Sequence, residues 1–420
     1  MSVIPSSAGR MPGKAEFVVL MAALMASNAL AIDAMLPALP AIGEALGVAE
    51  ENRRQLVITA YLLGFGAAQI GYGPLADRFG RKRLLLASML LYALFGALAG
   101  IAGSFALLLT ARGLQGVAAA GTRVLVVAIV RDRFHGPAMA QILSLVMIVF
   151  MVVPVLAPAF GQGVLAIASW RHIFIALAAY GLILALWSGL RLPETLPPEA
   201  RRPLSAGHIA EAALLTVRTR ASIGNTIAAT LTFGGLFAFI GSIQQIVFDV
   251  FHRPELIGIA FACIAGPMAV SSYANSRLVM RLGSRRLLVG ALAAFTATAL
   301  LHLGVALTAG ETIWSFIPMQ ALTMACFGLI GANTSALAMA PLGHIAGTAS
   351  ALQGLITTIG GALIGFAIGQ QFDGTTVPMV AGFAVCGGLA LLVAWWANPV
   401  QKISPNPEQV QEVHDLPREA

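Results

Sequence analysis

The chain has 420 residues, 58% of them hydrophobic and only 10% charged, which is too little charge to cover a soluble domain. A mean hydropathy of +0.85, with 44 glycines and 21 prolines, points to helices that use a bilayer as solvent, where neighbouring helices satisfy the backbone groups that Gly and Pro free. A net charge of +7 would suit nucleic acid, but the basic residues form short clusters between apolar stretches, which argues against that partner.

Apolar runs able to cross roughly 30 Å of hydrocarbon centre on residues 16–41, 55–75, 84–103, 105–130, 138–163 and 172–191, and then on 223–248, 256–276, 287–307, 313–336, 346–370 and 376–397. They predict an all-α polytopic membrane protein with twelve transmembrane helices. Lys14 precedes a first run too long for a signal peptide, so that run is expected to stay as a span. With the N-terminus in the cytoplasm, 19 of the 25 Lys and Arg fall inside, and Arg53, Arg54, Arg171 and Arg253 fall outside; Arg112 and Arg123 lie within the fourth span. This asymmetry predicts cytoplasmic termini. The segment 192–222 carries Pro193, Pro197, Pro198 and Pro203 and reads as a cytoplasmic loop. It separates a bundle at 1–191 from a second at 223–400, with a tail at 401–420. A repeat supports the division: Asp77-Arg78-Phe79-Gly80-Arg81-Lys82-Arg83-Leu84 matches Met280-Arg281-Leu282-Gly283-Ser284-Arg285-Arg286-Leu287 at a constant offset of 203 residues. Such a parallel repeat implies two six-helix, pseudo-symmetric halves about an axis along the membrane normal.

Among 18 acidic residues, Asp33 alone lies well inside an apolar window. A charge at that depth costs several kcal/mol unless it is paired or hydrated, and such residues line cavities and ion pathways. Burial disfavours an ionised carboxyl, so Asp33 is the candidate proton-coupling group; a structural acid held by a cation is the alternative. Arg112, at comparable depth in the fourth span, is the expected partner, either as an adjustable one or in a fixed ion pair. Arg123 lies 11 residues further, about three turns, and faces nearly the same way. It reads either as a second cavity charge that favours anionic or zwitterionic substrates, or as a side chain snorkelling to the headgroups. Polar, aromatic or flexible groups at Tyr61, Gln69, Met147, Met151, Phe237, Gln244, Asn333 and Gln353 are candidate cavity-lining residues, with helix packing as the plainer role of each. Pro154, Pro158, Gly161 and Gly163 offer bend points in the fifth span or close helix packing. Cys263, Cys326 and Cys386 stand alone as small core residues. His135, His208, His252 and His344 show no metal-ligand spacing, and no Walker-type motif is present, so no metal, cofactor or direct use of ATP is expected.

The motifs together resemble the major facilitator superfamily, in particular its twelve-span drug:proton antiporters and the Bcr/CflA (bicyclomycin and chloramphenicol resistance) group, over roughly residues 16–397. The resemblance rests on Gly73-Pro74-Leu75-Ala76-Asp77-Arg78-Phe79-Gly80-Arg81-Lys82-Arg83 in the loop after the second span and on Arg112-Gly113-Leu114-Gln115-Gly116 in the fourth. Pro154 to Gly161 in the fifth span and Ile32-Asp33-Ala34-Met35-Leu36-Pro37-Ala38-Leu39-Pro40 in the first complete it. Met35 stands where the group usually has Tyr, and Arg123 departs from the family pattern. The resemblance implies proton-coupled efflux of small hydrophobic or amphipathic compounds by a monomer in a bacterial-type inner membrane, powered by the proton gradient. It also implies proton transfer at Arg112, and a latch of Asp77, Arg78, Arg81, Gly73 and Gly80 that closes the cytoplasmic side near the start of the eleventh span. Uptake by symport and a non-transporting sensor on the same fold are the rival readings. An intramembrane enzyme is disfavoured, because the spans hold no acid pair, His cluster or nucleophile constellation.

Overall fold

The computed structural model describes residues 12–134, 136–201, 206–308 and 310–399. Its helices are α1 (Lys14–Asp33), α2 (Leu39–Ala45), α3 (Leu56–Phe79), α4 (Arg81–Gly100), α5 (Phe105–Arg133), α6 (Gly136–Ile167), α7 (Trp170–Arg191), α8 (Ala206–Arg218), α9 (Arg220–Gln245), α10 (Ile257–Leu282), α11 (Ser284–Ala306), α12 (Ile313–Met339), α13 (Ala346–Gly369) and α14 (Val377–Ala397). Among the described residues, eleven helical stretches are long and apolar enough to cross a membrane, and the apolar stretch Val152–Ile167 of α6 supplies a shorter twelfth. Helices are the expected solution, because lipid offers no partner for a free backbone N–H or C=O.

Two features differ from the sequence reading. The first apolar window is not one helix: α1 ends at Asp33, a 3-10 turn follows at Leu36–Ala38, and α2 continues from Leu39. Pro37 and Pro40 cause the break, since each removes a backbone donor and disfavours helical geometry in the residue before it. The segment 192–222 is not purely loop either, because α8 occupies Ala206–Arg218. It exposes Leu214, Leu215 and Val217 and packs on α9 and α13.

Contacts between helix ends fix which ends lie together. Arg191, closing α7, pairs with Glu16 at the start of α1 at 2.6 Å. Arg81, opening α4, pairs with Asp132 at the end of α5, and Arg285, opening α11, donates to the carbonyl of Asn398 after α14. This end carries most of the Lys and Arg and is called the basic end below. Helices α1–α7 form one half and α9–α14 the other. Across the seam α3 packs on α13, and α10 packs on α6. The second span of each half therefore meets the fifth span of its counterpart, as two-fold pseudo-symmetry requires.

Candidate functional site

The centre of the first half is a buried polar network around Arg112. Its side chain is fully enclosed, and its guanidinium uses three faces. Nη2 donates to the carbonyl of Ala31 at 3.0 Å, Nε to the carbonyl of Val57 at 3.3 Å, and Nη1 to Oε1 of Gln115 at 2.6 Å. Its planar face stacks 4.4 Å from the ring centre of Tyr61, with Phe174 at 5.7 Å. The Tyr61 hydroxyl donates to Oδ1 of Asn28, and Asn28 donates to Thr122 at 2.8 Å. Ala31 lies in the last turn of α1, where carbonyls lack intrahelical partners and the helix dipole is negative. Arg112 thus caps α1 from α5. Only a guanidinium, with its planar fork of donors, serves these acceptors while stacked on a ring.

Asp33 is 3% exposed, and its Oδ1 has no hydrogen-bond partner. Of the two readings of Arg112, the fixed ion pair with Asp33 is not seen in this conformation. Among the described residues Asp33 takes part in no ion pair, because Arg112 is occupied two residues earlier by the Ala31 carbonyl. The carboxyl sits where α1 breaks, at the negative end of a helix that does nothing to stabilise a second negative charge. Gly161 of α6 packs against this break. A methyl built on it would overlap the Ala34 carbonyl and lie 3.0 Å from Cγ of Pro37. Pro154 and Pro158 lie inside a continuous α6. Of the proposed hinge residues, then, Gly161 acts as a close-approach position, and Gly163 faces open space.

The seam is closed away from the basic end. Gln55 at the start of α3 donates to Gln245 at 2.6 Å and to the Gly369 carbonyl. Gln245 donates to Asn52, Asn52 to the carbonyls of Gln370 and Phe372, and Gln162 to the Pro254 carbonyl. Midway along, Gln69 on α3 donates to Thr358 on α13 at 3.1 Å. From there to the basic end no hydrogen bond joins the halves among the described residues, and every ion pair among them lies within one half. A narrow cleft on the closed side is lined by Gln55, Ile58, Leu62, Phe237 and Phe366.

The latch expected from Asp77 is not engaged with α13. Asp77 pairs with Arg81 at 2.7 Å, and Arg81, almost fully buried, also reaches Asp132 at 3.2 Å. Gly80 turns the chain at φ +95°, a conformation open to glycine at little cost. Arg78 lies over the ring of Phe79, and Gly73 has open space beside it. Sequence reasoning missed Glu194. Its Oε1 accepts from the backbone N–H of Arg81 at 2.8 Å and from those of Thr195 and Leu196, while the Thr195 hydroxyl donates to Asp132. A carboxylate at the N-terminus of α4 meets free donors and the positive end of a helix dipole, so the stretch after α7 is strapped onto the loop after α3. Nothing in the spacing signals this contact over 113 residues. Glu194→Ala is expected to destabilise the protein by about 1–2 kcal/mol, the cost of a lost cap. Thermal unfolding in detergent reads this directly, and an unchanged midpoint would contradict the strap.

The remaining candidates fall into groups. Tyr61 and Gln69 are buried in the network and the seam respectively. Asn333 donates to Asn275 at 2.6 Å, and Gln353 donates to Ser222 and the Ala338 carbonyl; both are packed within the second half rather than open to the seam. Gln244 is buried with its Nε2 unpartnered. The side chains of Met147 and Met151 lie outside the described residues. Arg123 is exposed.

Two bundles of six spans, meeting through paired second and fifth helices around a seam closed at one end, are the architecture of a polytopic membrane carrier. A sequence profile of the Major Facilitator Superfamily matches residues 21–365, and the chain belongs to that superfamily. It is 33% identical, over 86% of this chain and 90% of the other, to an uncharacterised MFS-type transporter, YdgK, of Bacillus subtilis. It is 29% identical, over 90% and 95%, to a bicyclomycin resistance protein homolog of Haemophilus influenzae. To the multidrug resistance protein MdtL of Salmonella typhimurium it is 27% identical, over 94% and 98%. These relatives are consistent with the Bcr/CflA-like group. The crystal structure of the human organic anion transporter MFSD10 shares the fold, with a TM-score of 0.67 at 18% identity, covering 92% of this chain and 100% of that one.

Proposed function

We propose that this protein exports small hydrophobic or amphipathic compounds in exchange for protons, by rocking its two halves around a central site. The reading is carried by one observation: a buried carboxyl at Asp33 has an unpartnered oxygen at a break in α1, two residues from a carbonyl already held by a fixed cation. A group so placed exchanges a proton with whichever side reaches it. When it is deprotonated it competes with the Ala31 carbonyl for Arg112, and that exchange of partners would move the end of α1 against α5. The bicyclomycin and multidrug resistance relatives support the outward direction. The basic end is cytoplasmic by the positive-inside rule, so the closed seam faces outward and this conformation is open inward. The location is a bacterial-type inner membrane with both termini inside, and the working unit is a monomer whose partners are substrate, protons and lipid.

Proteoliposomes with an imposed proton gradient test the coupling. Asp33→Asn is expected to lose uphill transport while keeping substrate binding. Full uphill transport by Asp33→Asn would remove Asp33 from the mechanism. Accumulation in cells with and without an uncoupler sets the direction, because an exporter's cargo rises inside when the gradient collapses.

A further inference from the structure

Arg123 is an exposed cation in the middle of a membrane helix, and its surroundings say what it is for. It lies four residues, about 6 Å, inward of the midpoint of α5. The lipid-facing stripe of α5 is marked by Leu107 and Leu114, 47% and 41% exposed. Nine residues separate Leu114 from Arg123, about two and a half turns, which puts Arg123 on the opposite side of the helix. The flanking faces are assigned by contacts: Thr122 accepts from Asn28 of α1, and Gly116 packs on the backbone of Tyr61 and Phe65 of α3. Arg123 therefore opens between α1 and α3, and α3 is the helix that meets α13 of the other half. The direction is the seam, on the side where no hydrogen bond joins the halves among the described residues. Neither an ion pair nor a hydrogen bond engages Arg123 among them, in contrast to Arg112, about three turns earlier on nearly the same face, whose three nitrogens all donate to protein acceptors.

We propose that Arg123 is the anchor for an anionic headgroup on the transported compound, so that the preferred cargo is an amphipathic monoanion: an apolar ring system bearing a carboxylate or sulfonate. A guanidinium presents paired donors that match a carboxylate in bidentate geometry, and a cation at this depth gains most from a counter-charge that arrives with an apolar body. Arg123 is a specificity-determining residue in this assignment, and Asp33 remains the proton carrier. The inference rests on the export reading, but its test needs no gradient.

Equilibrium binding of tritiated 1-naphthoate and of its neutral isostere 1-naphthamide to the purified full-length protein, at a pH where the acid is ionised, makes the comparison. Wild type is expected to bind the carboxylate at least tenfold more tightly than the amide. Arg123→Gln is expected to lose that preference while binding the amide within about twofold of wild type, and Arg123→Lys to retain most of it. Wild-type binding of neither probe, or of both equally, would overturn the assignment, as would an equal loss of both probes in Arg123→Gln with an unchanged unfolding midpoint. Should Arg123→Gln fail to fold, the wild-type preference and its retention in Arg123→Lys decide the matter. Failure of proton-driven export with a preserved carboxylate preference would count against the coupling reading and leave Arg123 in place.

Discussion

Arg112→Ala is expected to destabilise the protein by about 3–5 kcal/mol. The substitution strips donors from two buried carbonyls, those of Ala31 and Val57, and from the Gln115 side chain. A buried acceptor left without a partner costs about 1–3 kcal/mol, and the emptied space over Tyr61 adds a cavity term. Arg112→Lys keeps the charge, but a single ammonium cannot reach three acceptors while lying over a ring, so it should fall between alanine and wild type. Fluorescence-detected unfolding in detergent ranks the three proteins. A loss under about 1 kcal/mol for the alanine variant would mean that water replaces the guanidinium, and the network would then be wetter than its enclosure suggests.

The second large effect is expected at Gly161. A methyl there overlaps the Ala34 carbonyl, and backbone cannot rotate away as a side chain can, so Gly161→Ala must push α6 off the break in α1. Overpacking of this kind costs about 1–3 kcal/mol, and the displacement falls on the turn that positions Asp33. Transport should suffer beyond what the stability loss explains. Gly163→Ala, two residues on, meets nothing within 4 Å and should be neutral or gain up to about 1 kcal/mol from helix propensity. Paired uptake and unfolding measurements on the two variants separate a packing contact from a flexible joint: if Gly161→Ala is harmless, the helix yields there.

The twelve spans were legible because a bilayer demands long apolar runs and leaves few alternatives. What escaped was anything decided by contact. Pro37 and Pro40 are plain in the sequence, yet a hydropathy window averages over them and runs straight through the break that ends α1 at Asp33. The prolines near residue 200 drew attention to a loop and hid the uninterrupted stretch 208–218, whose apolar residues belong to α8. The sequence marks Arg112 as a cation inside a span, and the acid at comparable depth, Asp33, is its obvious partner. Backbone carbonyls have no letter in a sequence, and two of them, at Ala31 and Val57, hold it instead. Nothing in the sequence singles out Glu194, because the partners of its carboxylate are the free N–H groups of a helix start that only the fold brings near. For Arg123 the sequence offers two readings, and its exposure on the face of α5 opposite Leu107 and Leu114 is the observation on which the proposal above rests.

The outer closure has a property of its own. Asn52, Gln55, Gln245 and Gln370 are amides, which neither titrate at any physiological acidity nor feel dissolved ions as charges do. These contacts keep their strength as acidity and salt change, while the charged groups beside them, Glu51 and Arg54 of one half and Asp249 and His252 of the other, do not. The amide bonds are therefore the part of the door on which a proton gradient has no direct grip.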